Sequence, residues 1–299
     1  MVILKIAFQA LGFLLIVGGL AYHFAALEIF NFIVPKDGDS RLLVSDVAYG
    51  SDARQRLDIY VPAKGAGPWP VVVFVHGGSW SSGNKNGYAF VGRALAAQGF
   101  VAVLPEYRLH PQNPFPVFVD DTARAIDWAT RHAQDYMGDP RKVFVSGHSA
   151  GAYNVALAVL DPKYFGALGT DVSAIRGVAL LAAPLDFLPL EGQIPKDVFG
   201  KVPDAQSTQP VHFARKNVPP FLLLHGTADG TCYPKNSISL DRHLREAGAS
   251  SELKLYDGVT HVGIVMALSK PFRRKASTLS DMTTFFLSHG NDAPRLADQ

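Results

Sequence analysis

The side chain most suited to nucleophilic chemistry is Ser149, at the centre of the run G-H-S-A-G at positions 147–151. This run follows the apolar Val143–Val145 and precedes Ala150–Leu160, which is rich in helix formers. A sharp turn from strand to helix strains its central residue and projects the serine hydroxyl above the carboxyl edge of the sheet, at the positive end of the helix. The pattern predicts that Ser149 is a nucleophile. The alternative is a turn serine that caps a helix.

A serine nucleophile needs a base, and the base needs a carboxylate that orients it. His261 follows the last predicted strand, and Asp229 follows the apolar run Phe221–Leu224. We therefore predict His261 as the base and Asp229 as the acid. Asp186 and Asp257 also follow predicted strands and remain alternatives for the acid. Asp229 is favoured because glycines on both sides of it allow the chain to bend sharply towards the far nitrogen of His261.

A second glycine-rich run, H-G-G-S-W at 76–80, comes directly after the apolar Val71–Val75. Glycines at the carboxyl end of a strand expose backbone N–H groups that can hold an oxygen as it becomes negative. The amides of Gly77, Gly78 and Ala150 are the predicted donors, and an ordinary glycine-rich turn is the alternative. His148 and His225 are interpreted as turn or packing residues.

Alternating strands and helices must position these residues. Short apolar runs predict strands that helices cover on both faces, as in a parallel sheet, and two alternating segments predict half-buried strands near the edges. The fold class is therefore α/β, with a doubly wound and mainly parallel sheet. Phe187–Asn217 is rich in Pro and Gly and predicts a short cap over the site. The buried strands are Val71–Val75, Val101–Leu104, Val143–Val145, Val178–Ala183 and Phe221–Leu224; the edge strands are Arg56–Val61 and Leu253–Tyr256; the helices are Ala89–Gln98, Val119–Ala133, Ala150–Leu160 and Val262–Leu287.

Composition excludes several classes of partner. Lys and Arg number 28 against 26 Asp and Glu, and no basic run is longer than Arg273–Lys275, so a nucleic-acid partner is not expected. The sole cysteine, Cys232, excludes an intrachain disulfide and a cysteine-based zinc site. No metal-ligand spacing is present, and we expect neither a metal nor another cofactor.

The N-terminal segment is strongly apolar. Ile6–Leu27 contains no charged residue, and as a helix its 22 residues would span roughly 33 Å, enough to cross a bilayer. With Lys5 before it, the segment predicts a membrane anchor whose catalytic domain is exported to the periplasmic or extracellular side. A cleaved signal peptide, which would leave a secreted protein, and a hydrophobic helix packed on the body are the alternatives. The predicted organisation is an N-terminal segment 1–34, a catalytic domain 35–289 and a flexible tail 290–299.

From about Leu57 to Phe286 the chain resembles the α/β-hydrolase family of esterases and lipases. It is most similar to the branches named after hormone-sensitive lipase and after feruloyl esterase and kynurenine formamidase. Shared features include Y-R-L at 107–109 with Asp121, and P-P-F-L-L-L-H-G at 219–226. Two positions depart from the family pattern: Ser79 replaces the third glycine of the H-G-G-G form, and Cys232-Tyr233 replaces a frequent Val-Pro.

The resemblance implies a serine hydrolase that cleaves carboxylic esters of small to medium size through an acyl-enzyme, without a cofactor. An arylformamidase or other amidase remains open, because the same three residues can cleave both kinds of bond. A non-catalytic, membrane-tethered binding protein on this scaffold is the alternative from another class. Such proteins typically lose a member of the triad, and all three members are present here. The sequence leaves the oligomeric state open.

Overall fold

An eight-stranded sheet organises residues 27–290, the part of the chain that the computed structural model describes. Its spatial order is β1-β2-β4-β3-β5-β6-β7-β8. The pairs β1–β2 and β2–β4 are antiparallel, and every pair from β4 through β8 is parallel. The mainly parallel sheet predicted from the sequence is therefore confirmed. The strands are β1 (Ser40–Ala48), β2 (Arg56–Pro62), β3 (Trp69–Val75), β4 (Val101–Pro105), β5 (Gly138–His148), β6 (Ile175–Leu181), β7 (Phe221–Gly226) and β8 (Ser251–Tyr256).

Helices cover both faces of this sheet and create two apolar layers. Along β3, Val71, Val73 and Val75 enter one layer, whereas Val72 and Phe74 enter the other, as the two-residue period of a strand requires. Helices α2, α3 and α6 contribute to the first layer, and α1, α7 and α8 to the second. The helices are α1 (Ala89–Ala97), α2 (Val117–His132), α3 (Ala150–Leu160), α4 (Pro162–Gly166), α5 (Gln193–Phe199), α6 (Lys235–Glu246), α7 (His261–Met266) and α8 (Thr278–Gly290).

Three elements differ from the expectations. Strand β1 was not predicted, because it lies at the edge, is mostly exposed and has no apolar period. Because β1 pairs outside β2, the latter is an inner strand rather than an edge strand, and its residues 57–61 are all buried rather than alternately exposed. Helix α6 was also missed, because most of its residues are polar and only a narrow stripe, including Leu240 and Leu244, is buried.

Two predicted segments are more broken than expected. Val262–Leu287 contains α7 and α8, which are separated by a short 3₁₀ turn at Lys270–Phe272 with Pro271 inside it. The segment 187–217 contains α5 and two 3₁₀ turns. In both segments proline and glycine interrupt the helical hydrogen bonding, so that only short helices form.

Residues 27–33 are helical and lie against the body of the domain. Leu27 and Val34 are buried, and the Phe30 ring contacts the Phe90 ring edge-on, with 5.2 Å between centroids. The predicted anchor Ile6–Leu27, apart from its last residue, lies outside the described residues, as does the tail after Gly290. Among the helices of residues 27–290, none combines the length and the apolar character needed to cross a bilayer.

A buried ion pair joins the loop after β4 to helix α2. The Asp121 side chain is fully buried and accepts hydrogen bonds from Nε and Nη2 of Arg108, at 2.8 and 2.7 Å. The Arg108 backbone N–H and the Gln55 amide complete its coordination, at 2.9 and 2.8 Å. Every lone pair that burial removes from water is thereby matched by a donor.

Arg108→Ala should destabilise the domain by about 3 kcal/mol, because it leaves the buried Asp121 carboxylate without its charge partner. Urea unfolding followed by circular dichroism gives the measurement. Arg242→Ala is the matched control: Arg242 pairs with Glu246 at 3.9 Å, and both side chains are 64% exposed, so its loss should leave the unfolding midpoint unchanged. Equal effects of the two changes would contradict the structural role of the buried pair.

Candidate active site

The turn between β5 and α3 presents the Ser149 hydroxyl. Ser149 has φ +54° and ψ −124°, a strained conformation for a residue with a side chain. Its backbone N–H donates to the Leu181 carbonyl of β6, at 2.9 Å, which holds the turn against the neighbouring strand. A Cβ atom on Gly151 would lie only 2.3 Å from the carbonyl oxygens of Val75 and His76. Glycine at 151 therefore allows α3 to begin directly above β3.

The structure brings Ser149, His261 and Asp229 into one hydrogen-bonded chain. His261 Nε2 lies 2.9 Å from Ser149 Oγ, and His261 Nδ1 lies 2.7 Å from Asp229 Oδ2. Because the carboxylate can only accept, Nδ1 carries the proton and Nε2 is free to accept from the serine hydroxyl. The three residues follow the ends of β5, β7 and β8, so the parallel topology places them at one edge of the sheet.

The two alternative acids lie elsewhere. Asp186 Oδ2 accepts from the Ser239 hydroxyl at 2.5 Å, and Asp257 Oδ1 accepts from the Thr227 hydroxyl at 3.1 Å. Within residues 27–290, neither carboxylate forms a hydrogen bond with His261. Of the three candidates only Asp229 occupies the position that orients this imidazole.

Asp229 is held as an ionised carboxylate by its surroundings. Its side chain is fully buried, and its Oδ1 accepts the backbone N–H groups of Thr231 and Cys232, both at 2.8 Å. His225 Nε2 lies 3.2 Å from Oδ2 and also 2.6 Å from the Cys232 carbonyl oxygen. Burial by itself raises the pKa of Asp229, but the hydrogen bonds from His225 and His261 outweigh it and hold that pKa well below its usual range. Asp229 therefore stays negatively charged at neutral pH and favours the Nδ1-protonated form of His261.

The three predicted amide donors are not equivalent. The Gly77 N–H already donates to the Tyr88 hydroxyl, at 3.1 Å. The amides of Gly78 and Ala150 donate to no acceptor within residues 27–290. Gly78 has φ +144°, and a Cβ there would lie 1.9 Å from the Ser82 carbonyl oxygen, so this position requires glycine. The site thus offers two uncommitted N–H groups beside Ser149, at Gly78 and Ala150, and a third that is engaged.

His148 and Tyr88 connect the loop that carries the Gly77 and Gly78 amides, here called the amide loop, to the His261 main chain. His148 Nε2 lies 2.9 Å from the His261 carbonyl oxygen, and His148 Nδ1 lies 2.9 Å from the Tyr88 hydroxyl. Burial lowers the pKa of His148 to about 3, with a further contribution from His261, so the ring is neutral. A neutral imidazole has one donor and one acceptor, and here Nε2–H donates to His261 while Nδ1 accepts from Tyr88. One line of hydrogen bonds therefore runs from Gly77 to His261.

Sequence reasoning missed part of this network. The interpretation of His148 and His225 as turn or packing residues is incomplete, because His148 Nε2 hydrogen-bonds to the His261 carbonyl and His225 Nε2 lies 3.2 Å from Asp229 Oδ2. Tyr88 was not singled out, and no local pattern marks it. Cys232, which stands at a departure from the family pattern, donates its backbone N–H to Asp229 Oδ1 at 2.8 Å. Burial raises the pKa of the Cys232 thiol above its usual value, so the thiol stays neutral.

An aromatic cluster links the cap to the loop that carries Gly78. Phe199, at the end of α5, packs edge-on against Trp80 with 4.8 Å between ring centroids. The Trp80 ring also contacts Tyr153, and its Nε1 donates to Asn154 Oδ1 at 3.0 Å. These contacts hold Ser79 and Trp80 in left-handed conformations, with φ +51° and +59°. The cap segment is thus packed directly onto the chain that follows the amide donors.

Tyr88→Phe should destabilise the protein by about 1–3 kcal/mol, because it leaves the Gly77 N–H and His148 Nδ1 buried without a partner. Tyr164→Phe is the matched control, since the buried Tyr164 hydroxyl has no hydrogen-bond partner within residues 27–290. Its removal should leave stability unchanged or improve it. Urea unfolding of both variants gives the comparison. A Tyr88→Phe protein as stable as the Tyr164→Phe protein would show that the hydrogen-bond line contributes nothing.

A model of the BD-FAE family matches residues 57–244. A probable isoprenylcysteine alpha-carbonyl methylesterase, ICME, of Oryza sativa subsp. japonica is 30% identical over 275 residues, which are 85% of this chain and 66% of the relative. Esterase LipC of Mycobacterium tuberculosis is 33% identical over 229 residues, 68% of this chain and 55% of that protein. The chain therefore spans less than two thirds of the length of these curated relatives.

Solved structures share the fold. The crystal structure of Esterase B from Lactobacillus Rhamnosis superposes with a TM-score of 0.78 at 21% identity, covering 93% of this chain and 95% of that one. At this identity the likeness supports the architecture alone, which is that of the α/β-hydrolases. The family model covers more than half of the chain, and it includes the strand–turn–helix around Ser149. By its sequence and its fold, the chain belongs to the BD-FAE family of α/β-hydrolases.

Proposed function

We propose that the protein is a carboxylic ester hydrolase that uses Ser149 as nucleophile, His261 as general base and acid, and Asp229 as the group that orients His261. The observation that carries the proposal is the continuous chain from Asp229 Oδ2 through both nitrogens of His261 to Ser149 Oγ. The neighbouring uncommitted amides supply the second requirement of acyl transfer, a place for a developing negative charge.

In the acylation step, Ser149 Oγ attacks the ester carbonyl carbon while His261 Nε2 accepts the hydroxyl proton. The carbonyl oxygen becomes negative, and the N–H groups of Gly78 and Ala150 donate to it. The imidazolium that forms is stabilised by the Asp229 carboxylate, which remains ionised. Nε2–H then protonates the leaving alkoxide, the C–O bond breaks, and the acyl group stays on Ser149.

Deacylation uses the same groups in the opposite order. His261 Nε2 takes a proton from a water molecule, whose oxygen attacks the acyl carbon, and Gly78 and Ala150 again hold the oxyanion. Collapse of this intermediate breaks the bond to Ser149, and the proton on Nε2 returns to Ser149 Oγ. Gly77, predicted as a third donor, contributes in this scheme by fixing the loop through Tyr88.

The relatives support this class of reaction. Those that cover most of the chain are named as methylesterases and esterases, and a structural neighbour was solved as a phosphonate-inhibited esterase. We further propose small to medium acyl groups as substrates. The only α-helix described in the cap, α5, buries Phe199 in the aromatic cluster to 1% exposure. A short cap whose aromatic side chain is used for packing offers little open apolar wall for a long chain.

Ser149→Ala and Asp229→Asn should each lower kcat by about 10⁴-fold or more, because the first removes the nucleophile and the second disturbs the His261 tautomer. The measurement is hydrolysis of one activated nitrophenyl ester, with folding checked by circular dichroism. Asp186→Asn and Asp257→Asn are matched controls at the two other acids and should retain most of the activity. If Asp186→Asn lost most of its kcat while Asp229→Asn remained active, the assignment of the acid would be overturned.

Within a series of nitrophenyl esters, kcat/KM should be higher for a C4 than for a C16 acyl chain, since the cap provides few apolar contacts for the longer one. The same preparation should hydrolyse these esters faster than N-formyl aromatic amines. Preference for the C16 ester would contradict the proposed substrate size. Preference for the formamides would keep the triad but replace the ester by an amide as the substrate.

A further inference from the structure

The helical residues 27–33 carry large apolar side chains on both the covered and the exposed side, and Glu28 is the exposed charged residue among them. One side is covered by the domain: Leu27 is buried, and the Phe30 ring contacts Phe90 and Phe272, at 5.2 and 5.6 Å between centroids. The other side carries Ile29, Phe32 and Ile33, which are spaced three and four residues apart and therefore share one stripe. Their side chains are 61%, 87% and 69% exposed, the highest values among the exposed large apolar residues of the described chain. A soluble surface helix has a polar outer stripe, whereas this one is apolar.

Basic side chains lie in the segment that packs against the covered side of this helix. Phe272, which contacts Phe30, belongs to the segment K-P-F-R-R-K at 270–275. Lys270, Arg274 and Lys275 of this segment are exposed, and Lys275 Nζ lies 5.1 Å from the Phe272 ring centroid. The nearby acidic groups are partly engaged: Asp37 pairs with Arg273 at 2.7 Å, and Glu28 accepts from Asn84. The helix therefore presents an exposed apolar stripe, and the segment packed against its covered side carries three exposed cations.

We propose that this surface, formed by Ile29, Phe32, Ile33, Lys270, Arg274 and Lys275, docks on an anionic lipid bilayer. The apolar side chains enter the boundary between head groups and acyl chains, and the cations meet the lipid phosphates. Exposed apolar area together with neighbouring Lys and Arg is the combination that drives proteins to such interfaces.

The chain before this helix favours a bilayer over other occupants. The uncharged run Ile6–Leu27 leads without interruption into the helix, so a membrane-inserted run would deliver residues 27–33 to the interface. A second copy fits less well. In a symmetric pair the same patch meets itself, which would bring Lys270, Arg274 and Lys275 of both copies close together with like charge.

The docking surface is connected to the candidate active site by hydrogen bonds. Asn31 Oδ1 accepts the Phe90 N–H at 2.9 Å, and Asn31 Nδ2 donates to the Asn86 carbonyl at 2.8 Å. The same stretch contains Tyr88, whose hydroxyl accepts from Gly77. A bilayer that seats the helix therefore fixes the loop beside Ser149 relative to the lipid surface. Given the proposed function, this arrangement suits esters that partition into the interface; the docking surface itself does not depend on that chemistry.

The test uses the full chain reconstituted in vesicles of phosphatidylcholine, with or without phosphatidylglycerol, whose acyl chains carry bromine as a tryptophan quencher. Phe32→Trp adds a reporter within the stripe to the three native tryptophans. Ile238→Trp on α6 is the matched control, since Ile238 is an apolar residue with 46% exposure outside the surface. Quenching of the added fluorescence should be at least about twofold greater for Phe32→Trp than for Ile238→Trp.

The basic residues are tested in the same system. Lys270→Glu combined with Arg274→Glu and Lys275→Glu should remove the additional quenching that phosphatidylglycerol produces at position 32. Lys216→Glu combined with Lys235→Glu and Arg242→Glu alters three exposed cations elsewhere and should preserve it. Equal effects of the two triple changes would contradict the role of the cations.

Equal quenching at positions 32 and 238 would overturn the proposal. A lipid-independent dimer in sedimentation, lost on Phe32→Asp, would assign the surface to a second copy instead. Hydrolysis of a water-soluble short ester is recorded for every variant and should not change, because none of the altered residues lies in the catalytic machinery. Failure of docking with intact hydrolysis is thus distinguished from failure of the proposed function.

Discussion

The buried Asp229 carboxylate is the constraint around which the site is arranged. A charge removed from water is tolerated only where donors replace the lost hydration. Two backbone N–H groups of the Thr231–Cys232 turn and two imidazoles meet this requirement. Satisfying the carboxylate in this way also fixes the ring of His261, and through it the hydrogen bond to Ser149. The electrostatic requirement of one buried group therefore determines the geometry of the other two.

The three histidines around this carboxylate have separate roles. His225 Nε2 lies 3.2 Å from Asp229 Oδ2 and 2.6 Å from the Cys232 carbonyl oxygen, and its Nδ1 lies 2.7 Å from the Ser237 hydroxyl. His148 holds the main-chain carbonyl of His261 and is kept neutral by burial. Of the three, only His261 contacts both Asp229 and the Ser149 hydroxyl. The environment of each ring, rather than the residue type, separates His261, the histidine proposed to transfer protons, from the other two.

The segment 84–90 joins regions of the molecule that are distant in sequence. Tyr88 reaches the amide loop and His148, while Asn84, Asn86 and Phe90 bind residues 28–31. On the opposite layer, Phe199 packs the cap onto Trp80, two residues after Gly78. The amide donors are thus supported from both layers of the fold, which keeps strained backbone at residues 78–80 in place.

The sequence alone determined the strands that carry the site and the residues at their carboxyl ends. Strands made of continuous apolar runs can be buried on both faces only between two layers of helices. Glycines 78 and 151 stand where a Cβ atom would not fit. Ser149 followed from the strand–turn–helix pattern around it, His261 from its place after the last strand, and the preference for Asp229 from the glycines on both sides of it. Strand β1 and helix α6 did not, because an exposed edge and a mostly polar helix leave no apolar period.

Only the tertiary structure decided which polar groups meet. The partners Tyr88 and His148 are 60 residues apart, and His148 and His261 are 113 apart. No local pattern reports such pairs, because the direction of a buried hydrogen bond depends on how the layers pack. The same holds for the outer stripe of residues 27–33: its apolar residues are visible in the sequence, but which of them the domain covers depends on the contacts of Phe30. Periodicity encodes burial within one element, whereas pairing between elements is a property of the assembled fold.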